Sequence, residues 1–563
     1  MGLRWTWMAP VSPPPAEPPR VTVLWPLVDD RPRLLQPVPQ GRPLLADDGL
    51  ADSLAPGGRL FSLLDAVDKP TRGVESELRR SLCLAVDPSL LETVRAMTQD
   101  YLVRTPDGRT VAGEGVEAAR RWLDRLRALA VGQCVFALPY ADADLVALSR
   151  AGATDLQRIA AGGAGLVQAV LAPAQALPGV VWPIEAAIDQ RTVSDLASDS
   201  PTTILVDETR LRRAAGGGGG PFALGSPAER ETGRGSRIMP VDALVSTSLS
   251  GRQPEATTPA SVQNGLATLV FRVALQDTPD RSVVVAPPRR WTAPAGELTV
   301  FLDTLAALFD QDLTNPLPLA GALNAPLDGT VDGLDYTAED AGSEVSGPVM
   351  SAVTQANAVQ RDLLGAMQTD ATTQVQPQSL IDPLQYGLLR ATSGAWRGTA
   401  DGSTRAVTDV QAALTAIRGQ VTVVRPAVPY TLASADSELP VQITNGLPVA
   451  IRVHISVRDS AGLRPSAIPQ QDIPAHSGIT RSIPAEVIRS GRFTVDIGLT
   501  TPSGSTSLGE PSRFELSSTS YGTITLAITG TAAAALVLLF GRRIYRRIRK
   551  PRASALEQGS GQG

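Results

Sequence analysis

The sequence predicts a multidomain chain with an α/β barrel, a small helical module, an immunoglobulin-like β-sandwich and one C-terminal transmembrane helix. Three observations lead to this prediction. Apolar runs alternate with helical periodicity over residues 20–312, the apolar period changes to two after Val421, and 21 uncharged residues end at Gly541. A length of 563 residues suits two to four domains of ordinary size.

The barrel prediction is based on seven apolar runs, each typical of a strand buried on both faces. They are Val21–Val28, Leu82–Val86, Cys134–Leu138, Gly179–Trp182, Thr203–Val206, Val241–Val245 and Ser282–Ala286. Helical periodicity fills the intervals between them. Seven β–α alternations favour about seven parallel strands closed into a barrel, and an open doubly wound sheet is the alternative.

Two segments of residues 1–312 do not fit this pattern. Residues 1–19 are rich in proline, and we expect them to be disordered. They contain no secretory signal, so we expect that the recorded start is internal and that a signal-bearing N-terminus lies upstream. Residues 209–236 contain five consecutive glycines and predict a flexible surface loop within the barrel.

Residues 313–420 predict a linker and a helical module, with helices at Val345–Met367, Ser379–Trp396 and Arg405–Ile417. Residues 421–517 alternate apolar and polar side chains and contain frequent turn signals, as an immunoglobulin-like sandwich does.

Residues 521–541 carry no charge and are long enough to span a bilayer. Seven basic residues follow within residues 542–563. The positive-inside rule places this basic tail in the cytoplasm and the body outside, as a single-pass type I protein of the cell membrane. A tail-anchored protein with a cytosolic body is the alternative.

Charge and composition exclude several functions. The net charge of residues 1–541 is −11, which is unsuited to nucleic acid. Both histidines, His454 and His476, fall in the predicted sandwich, so the barrel offers no histidine-based metal or triad chemistry. We predict no metal and no cofactor. Cys83 and Cys134 are interpreted as two buried thiols, and a single bridge between neighbouring strands is the alternative.

Polar and aromatic side chains gather where the predicted strands end. The candidate catalytic carboxylates are Asp29, Asp87, Asp142, Asp144, Glu185 and Asp207. The candidate ligand-binding residues are Trp25, Tyr140, Trp182, Arg289, Arg290 and Trp291. The carboxyl ends of parallel barrel strands converge on one face, so these residues predict a mouth suited to sugars. Helix capping is the competing interpretation; it is favoured for Asp87 and equally weighted for Asp142.

Several stretches together resemble an actinobacterial family of envelope proteins of unknown function. They are Leu24–Asp29, Pro56–Leu60, Asp87–Leu91, Ala137–Leu148, Val180–Pro183 and Ala286–Trp291. The resemblance implies a secreted, membrane-anchored protein with a barrel similar to polysaccharide-deacetylase and glycosidase folds. Genes of such proteins often lie beside the lipid II flippase gene, which implies a link to cell-wall assembly. The deacetylase metal site needs histidines that this barrel lacks.

Three functional hypotheses follow. The first is a non-catalytic envelope scaffold that binds a saccharide or a protein, with cell-wall glycan or wall-assembly proteins as partners. The second is a carboxylate-dependent, metal-independent glycoside hydrolase or transglycosidase, which needs two suitably separated acids. The third is a structural spacer.

Overall fold

The computed structural model describes most of the chain. The described residues are 17–36, 42–71, 76–197, 202–213, 220–224, 236–250, 260–275, 282–432, 436–457, 463–465, 468–488, 491–518 and 523–548. They form two compact units, of which the first comprises Met1–Gln360 with Gln378–Leu414 and the second Arg361–Pro377 with Thr415–Gly563.

The strands of the first unit are short and mostly buried. They are β1 Arg20–Leu27, β2 Leu34–Gln36, β3 Leu44–Leu45, β4 Leu82–Val86, β5 Leu102–Arg104, β6 Thr110–Ala112, β7 Cys134–Ala137, β8 Val180–Val181, β9 Thr203–Asp207, β10 Leu211–Arg213, β11 Phe222–Leu224, β12 Ser236–Val241, β13 Ser282–Val285, β14 Asn315–Pro316 and β15 Gly329–Leu334.

Helices fill the intervals between these strands and follow the last of them. They are α1 Gly49–Leu54, α2 Arg59–Asp68, α3 Glu77–Ser81, α4 Pro88–Met97, α5 Val116–Ala130, α6 Leu145–Arg150, α7 Thr154–Ala161, α8 Ala164–Leu171, α9 Gln190–Ala197, α10 Ala243–Ser250, α11 Ala260–Val270, α12 Ala295–Asp310, α13 Leu319–Asn324, α14 Ala338–Ser343, α15 Gly347–Ala366, α16 Gln378–Ala391 and α17 Ala400–Arg418. The three helices predicted after residue 345 correspond to α15, α16 and α17.

Two sheets carry the predicted strands. The first has the order β13-β1-β4-β7, with β14 also on β1, and its pairs are parallel. The second has the order β10-β15-β11-β12-β9-β8, and β12, β9 and β8 are parallel. The sheets meet through a parallel bridge between Phe136 and Leu177 and through Asp242 N–H, which donates to the Val284 carbonyl at 2.9 Å. One buried apolar cluster takes side chains from both sheets, including Leu24, Phe136, Leu205, Met239 and Val284.

Three local predictions need correction. The sixth strand ends at Val241, and residues 243–245 begin α10, because the Asp242 carboxylate accepts the Val245 N–H at 3.0 Å and starts a helix. The predicted loop 209–236 contains β10 and β11, while residues 214–219 and 225–235 lie outside the described residues. The segment predicted as a linker contributes β14 and β15 to these sheets. Both strands were missed because neither shows a two-residue apolar period.

The favoured interpretation of the cysteines was wrong. Cys83 and Cys134 form a disulfide, which was the alternative. They are direct partners in the register of β4 and β7, so the parallel pairing itself brings the two sulfur atoms together. The bridge lies inside the apolar cluster shared by the two sheets.

The second unit contains two sheets in which antiparallel pairs prevail. Its strands are β16 Met367–Gln368, β17 Val421–Val423, β18 Tyr430–Leu432, β19 Asp436–Asn445, β20 Ala450–Val457, β21 Leu463–Pro465, β22 Gln471–Ile473, β23 Ser477–Val487, β24 Gly491–Thr500 and β25 Ser507–Ser518. One sheet has the order β16-β20-β24-β25-β18, with β22 on β20, and the other β17-β19-β23-β21. Burial alternates along β20, as its two-residue apolar period predicts.

A C-terminal helix, α18 (Thr523–Ile548), covers the predicted span. Its segment Ala527–Ile548 is long and apolar enough to cross a membrane, and within the described part of the chain it is the one helix that meets this criterion. The helix continues past Gly541 into the basic residues without a break.

Candidate functional site

A cleft of about 530 Å³ opens at the carboxyl ends of β8, β9, β12 and β13. Polar and apolar groups share its wall about equally, and the apolar part includes Ile184, Val241 and Pro287. The charged and hydroxylated side chains and the one aromatic ring are the groups that can contact a polar ligand. These residues are Trp182, Glu185, Asp207, Arg210, Ser246, Thr247, Ser250, Arg289, Arg290, Glu339 and Arg397. Five of the predicted site residues therefore share one cleft: Trp182, Glu185, Asp207, Arg289 and Arg290.

The loop after β7, which we call the first elbow, turns sharply at residues 139–142. Ala141 and Asp142 both adopt left-handed conformations, with φ of 56° and 49°. This turn directs Asp142 inward, where its side chain is 0 % exposed. The carboxylate lies 3.5 Å from Arg289 Nε and 3.2 Å from an Arg290 Nη atom. Asp142 thus shares its single negative charge between the two arginines beneath the cleft.

Arg289 is held from three sides. It donates to the Trp182 carbonyl and, at 2.9 Å, to the Pro183 carbonyl. Its guanidinium carbon lies 4.0 Å from the centre of the Trp182 ring, a cation–π distance. Burial lowers the pKa of Arg289 to about 10, against the attraction of Asp142. Arg289 therefore fixes Trp182 and the loop that follows it.

Asp87 acts as a helix cap, which was the favoured interpretation. Its carboxylate accepts the Ser89 N–H at 2.9 Å at the start of α4, and the Ala141 N–H at 2.8 Å in the first elbow. Burial raises the pKa of Asp87 to about 7, and the negative charge of Asp142 adds to the increase, against these N–H groups and Arg290. The capping role proposed for Asp142 belongs to Asp144 instead.

Asp144 and Asp29 are likewise committed to structural contacts. The Asp144 carboxylate accepts the Ala147 N–H at 3.1 Å, at the start of α6, and Arg397 Nε at 3.0 Å. The buried Asp29 carboxylate accepts Arg33 Nε at 2.8 Å. These buried carboxylates hold the walls of the site together, and their contacts leave Glu185 and Asp207 as the predicted acids in the cleft.

The loop after β8, the second elbow, repeats the same backbone path at residues 183–186. Glu185 and Ala186 have φ of 53° and 51°. Here the acid is exposed and lines the cleft. Within the described residues its side chain makes no hydrogen bond or ion pair, although its charge helps to raise the pKa of Arg397 against the effect of burial. Glu185 is thus available to a ligand.

Asp207 lines the same cleft at the end of β9. Its carboxylate accepts the N–H and hydroxyl of Thr209, so one oxygen is used in a local turn. Its side chain is half-buried and still lines the cleft.

All four aromatic candidates are buried, and Trp182, at 3 % exposure, is the one that also lines the cleft. The prediction of the other three as ligand contacts is corrected. Trp25 is 0 % exposed and donates to the Leu63 carbonyl at 3.1 Å. Trp291 packs edge-on against Trp25 with ring centres 5.1 Å apart. Tyr140, also buried, donates to Glu92 and accepts from Arg390 at 2.6 Å. Strand-end rings point into the core here because large apolar surface gains most from burial.

Several cleft residues were not predicted. Arg397 follows α16 and reaches Asp144 across 253 positions of sequence. Arg210 is held by Asp340 at the start of α14, and Glu339 is its exposed neighbour. No local motif marks these residues, because the fold alone brings them to the strand ends.

No set of three or more histidine, cysteine, aspartate or glutamate side chains suited to a metal ion occurs in the described ranges. The buried carboxylates of the site, Asp87, Asp142 and Asp144, are instead paired with arginines or backbone N–H groups.

Comparisons with solved structures give remote likenesses. An exo-type maltose-forming amylase from Pyrococcus sp. ST04 is 9 % identical, with 70 % of this chain and 79 % of that chain covered and a TM-score of 0.45. A GH57 branching enzyme from Thermococcus kodakaraensis is 11 % identical, with 71 % and 88 % covered and a TM-score of 0.44. A PapD-like domain of human CEP192 is 18 % identical, with 18 % and 86 % covered and a TM-score of 0.14.

No curated protein matches the chain. A family model described as a family of unknown function, DUF6049, matches residues 11–555, nearly the whole sequence. The chain therefore belongs to the DUF6049 family.

Proposed function

We propose that this chain is a membrane-anchored, extracytoplasmic protein whose cleft binds a neutral or cationic saccharide of the cell envelope without cleaving it. The observation that carries the proposal is the cleft of about 530 Å³ at the carboxyl ends of β8, β9, β12 and β13. Ligand sites of parallel α/β architectures lie at this end of the strands.

The two meeting sheets support a closed, distorted barrel as the frame of this site. The strands β1, β4, β7, β8, β9, β12 and β13 follow one another in chain order, with the Phe136–Leu177 bridge and the Asp242–Val284 hydrogen bond at the two seams. Side chains fill the interior of such a barrel, and the loops at the strand ends form the site.

The charges of the cleft favour saccharides that are not anionic. Arg289 and Arg290 share the single charge of Asp142, whereas Arg397 is paired with Asp144 and Arg210 with Asp340, so these groups together leave one positive charge. Glu185, Asp207 and Glu339 then add negative charge at the open side. Carboxylates accept hydrogen bonds from hydroxyl and ammonium groups, whereas an anionic sugar would meet uncompensated acids.

Binding without cleavage agrees with the roles of the acids. Asp87, Asp142 and Asp144 are buried and hold backbone N–H groups or arginines. Hydrolysis of a glycosidic bond uses two carboxyl groups on opposite sides of the bond. Glu185 is the one strand-end acid that is both exposed and without a local partner among the described residues.

A glycoside hydrolase or transglycosidase is the second candidate. The observation that favours it is Glu185, exposed on a left-handed turn within the cleft, which Asp207 and Glu339 also line. In this case one of those two acids would act with Glu185.

Two observations support the proposed location. Disulfides persist in oxidising compartments, and the Cys83–Cys134 bridge lies in the core of the first unit. Basic residues directly follow the apolar helix, which favours a cytoplasmic tail and an extracytoplasmic body. Cell-wall glycan and wall-assembly proteins are the partners that such a location offers.

The test uses the full chain in detergent micelles, titrated by calorimetry with the hexamers of N-acetylglucosamine and glucosamine and with an oligogalacturonate. We expect binding of the first two and a Kd at least about tenfold weaker for the anionic oligomer. Glu185→Gln should raise the Kd about tenfold, since a hydrogen bond to a charged group is lost. Glu114→Gln, at an exposed glutamate outside the cleft, is the matched control.

Chromatography of the same mixtures separates the two candidates. The proposal expects intact hexamers after prolonged incubation. Shorter or transferred products that disappear in the Glu185→Gln variant would establish the enzyme instead, and no binding of any hexamer would contradict both.

A further inference from the structure

The C-terminal end of α18 is basic, unlike the uncharged stretch before it. From Arg542 to Ile548 the helix continues beyond the uncharged stretch for about two turns, with the sequence RRIYRRI. We call this segment the basic extension. Its charge and its position next to a candidate membrane span raise the question of what it contacts.

The side chains of the basic extension are segregated by type. At about 100° per residue, four arginines fall within one arc of roughly 140°: Arg542, Arg543, Arg546 and Arg547. Ile544, Tyr545 and Ile548 fall on the opposite side and are 56 %, 56 % and 77 % exposed. Orientation by the positive-inside rule needs positive charge but no apolar face. The segregation therefore indicates a second role.

An amphipathic basic helix fits the boundary between lipid headgroups and acyl chains. Arginine binds phosphate oxygens through two parallel N–H donors, and its aliphatic stem tolerates an apolar surface. Tyrosine is favoured at the same depth, because its ring is apolar and its hydroxyl is polar. The extension continues the span directly, so these groups emerge from the membrane at headgroup level.

We propose that the basic extension is a binding site for anionic phospholipids, in which the four arginines contact the phosphate groups while Ile544, Tyr545 and Ile548 form the opposite side of the helix at headgroup level. The proposal rests on the membrane anchoring described under the proposed function. It adds a lipid partner that is selected by headgroup charge.

The test reconstitutes the full chain into phosphatidylcholine vesicles that contain a trace of spin-labelled phosphatidylglycerol or spin-labelled phosphatidylcholine. Electron spin resonance then gives the fraction of each label that is immobilised by the protein. We expect a preference of about fivefold or more for phosphatidylglycerol at low salt, and a clear decrease at 1 M NaCl. Inorganic phosphate at equal ionic strength should compete no better than chloride, since the bound species is a lipid.

Variants assign the preference to the basic extension. Replacing Arg542, Arg543, Arg546 and Arg547 by Gln should lower the preference to less than half, with Arg549, Lys550 and Arg552 keeping the remainder, whereas four Arg→Lys changes should keep most of it. Replacing Ile544 and Ile548 by Ser should weaken it while leaving the charge intact. Equal immobilisation of the two labels by the parent, or an undiminished preference in the Gln variant, would overturn the proposal.

Alkaline carbonate extraction of the same vesicles separates this proposal from the anchoring. A chain that stays in the pellet without lipid preference contradicts the lipid site alone. A chain that is released contradicts the membrane anchor, and the lipid site with it.

Discussion

The two elbows follow the same backbone path and use their acids in opposite ways. Each begins with a proline after a parallel strand and contains two consecutive left-handed residues, 141–142 and 185–186. In the first elbow the acid is the second left-handed residue, Asp142, which is fully buried between two arginines. In the second elbow the acid is the first left-handed residue, Glu185, which is exposed in the cleft and has no local partner among the described residues.

The difference teaches how one local structure serves stability in one place and recognition in another. Left-handed conformations cost energy in residues other than glycine, so each elbow needs favourable contacts that offset this cost. In the first elbow, the ion pairs of Asp142 with Arg289 and Arg290 offset this cost. In the second elbow no contact of Glu185 offsets this cost, as expected of a residue that binds a ligand.

The largest expected effect on stability comes from removing the Asp142 carboxylate from the first elbow. Asp142→Ala leaves two arginines without their shared counter-ion and should lower the free energy of unfolding by about 3–5 kcal/mol, since one partner of a buried ion pair is removed. Glu185→Ala is the matched control and should change it by less than about 0.5 kcal/mol. Urea denaturation of both variants measures the contrast, and similar losses would remove the distinction between the elbows.

The next effect is the pH dependence that Asp87 imposes on the first elbow. Its pKa of about 7 in the folded state is above its ordinary value of 3.8, so the folded chain binds the proton more tightly than the unfolded chain. The contribution of Asp87 to stability is therefore most favourable below pH 4 and falls as the pH rises to about 7, by up to roughly 4 kcal/mol. In Asp87→Asn, whose amide oxygen can accept the same N–H groups, this fall should be absent. Parallel curves for parent and variant between pH 4 and 7 would show that Asp87 titrates normally.

The smallest effect concerns backbone strain in the second elbow. Glu185→Gly removes the steric cost of φ 53° without exposing buried apolar surface, and it should raise the free energy of unfolding by about 0.5–1 kcal/mol. Asp142→Gly, at the comparable φ of 49°, should instead be strongly destabilising because the buried charge is lost. A destabilised Glu185→Gly variant would show that the glutamate side chain has a structural role.

The sequence predicted parallel strands and most of their positions because runs buried on both faces have a clear signal. It placed the acids at the strand ends correctly but did not tell which were buried, because Asp142 and Glu185 both follow a parallel strand and a proline. It also assigned Trp25 and Trp291 to the mouth, whereas Trp25 donates to Leu63 in α2 and Trp291 packs against Trp25 and against Phe301 in α12. Arg397 carried no signal, because its partner Asp144 is 253 positions away.

The most direct test of the central claim is carbodiimide labelling of carboxylates in the full chain, read by mass spectrometry with and without saturating glucosamine hexamer. In the free protein Glu185 and Glu114 should be labelled while Asp142 is not, as their exposure indicates. With the saccharide bound, Glu185 should become protected while Glu114 stays reactive. Undiminished labelling of Glu185 at saturation, or labelling of Asp142 as fast as that of Glu185, would contradict the account.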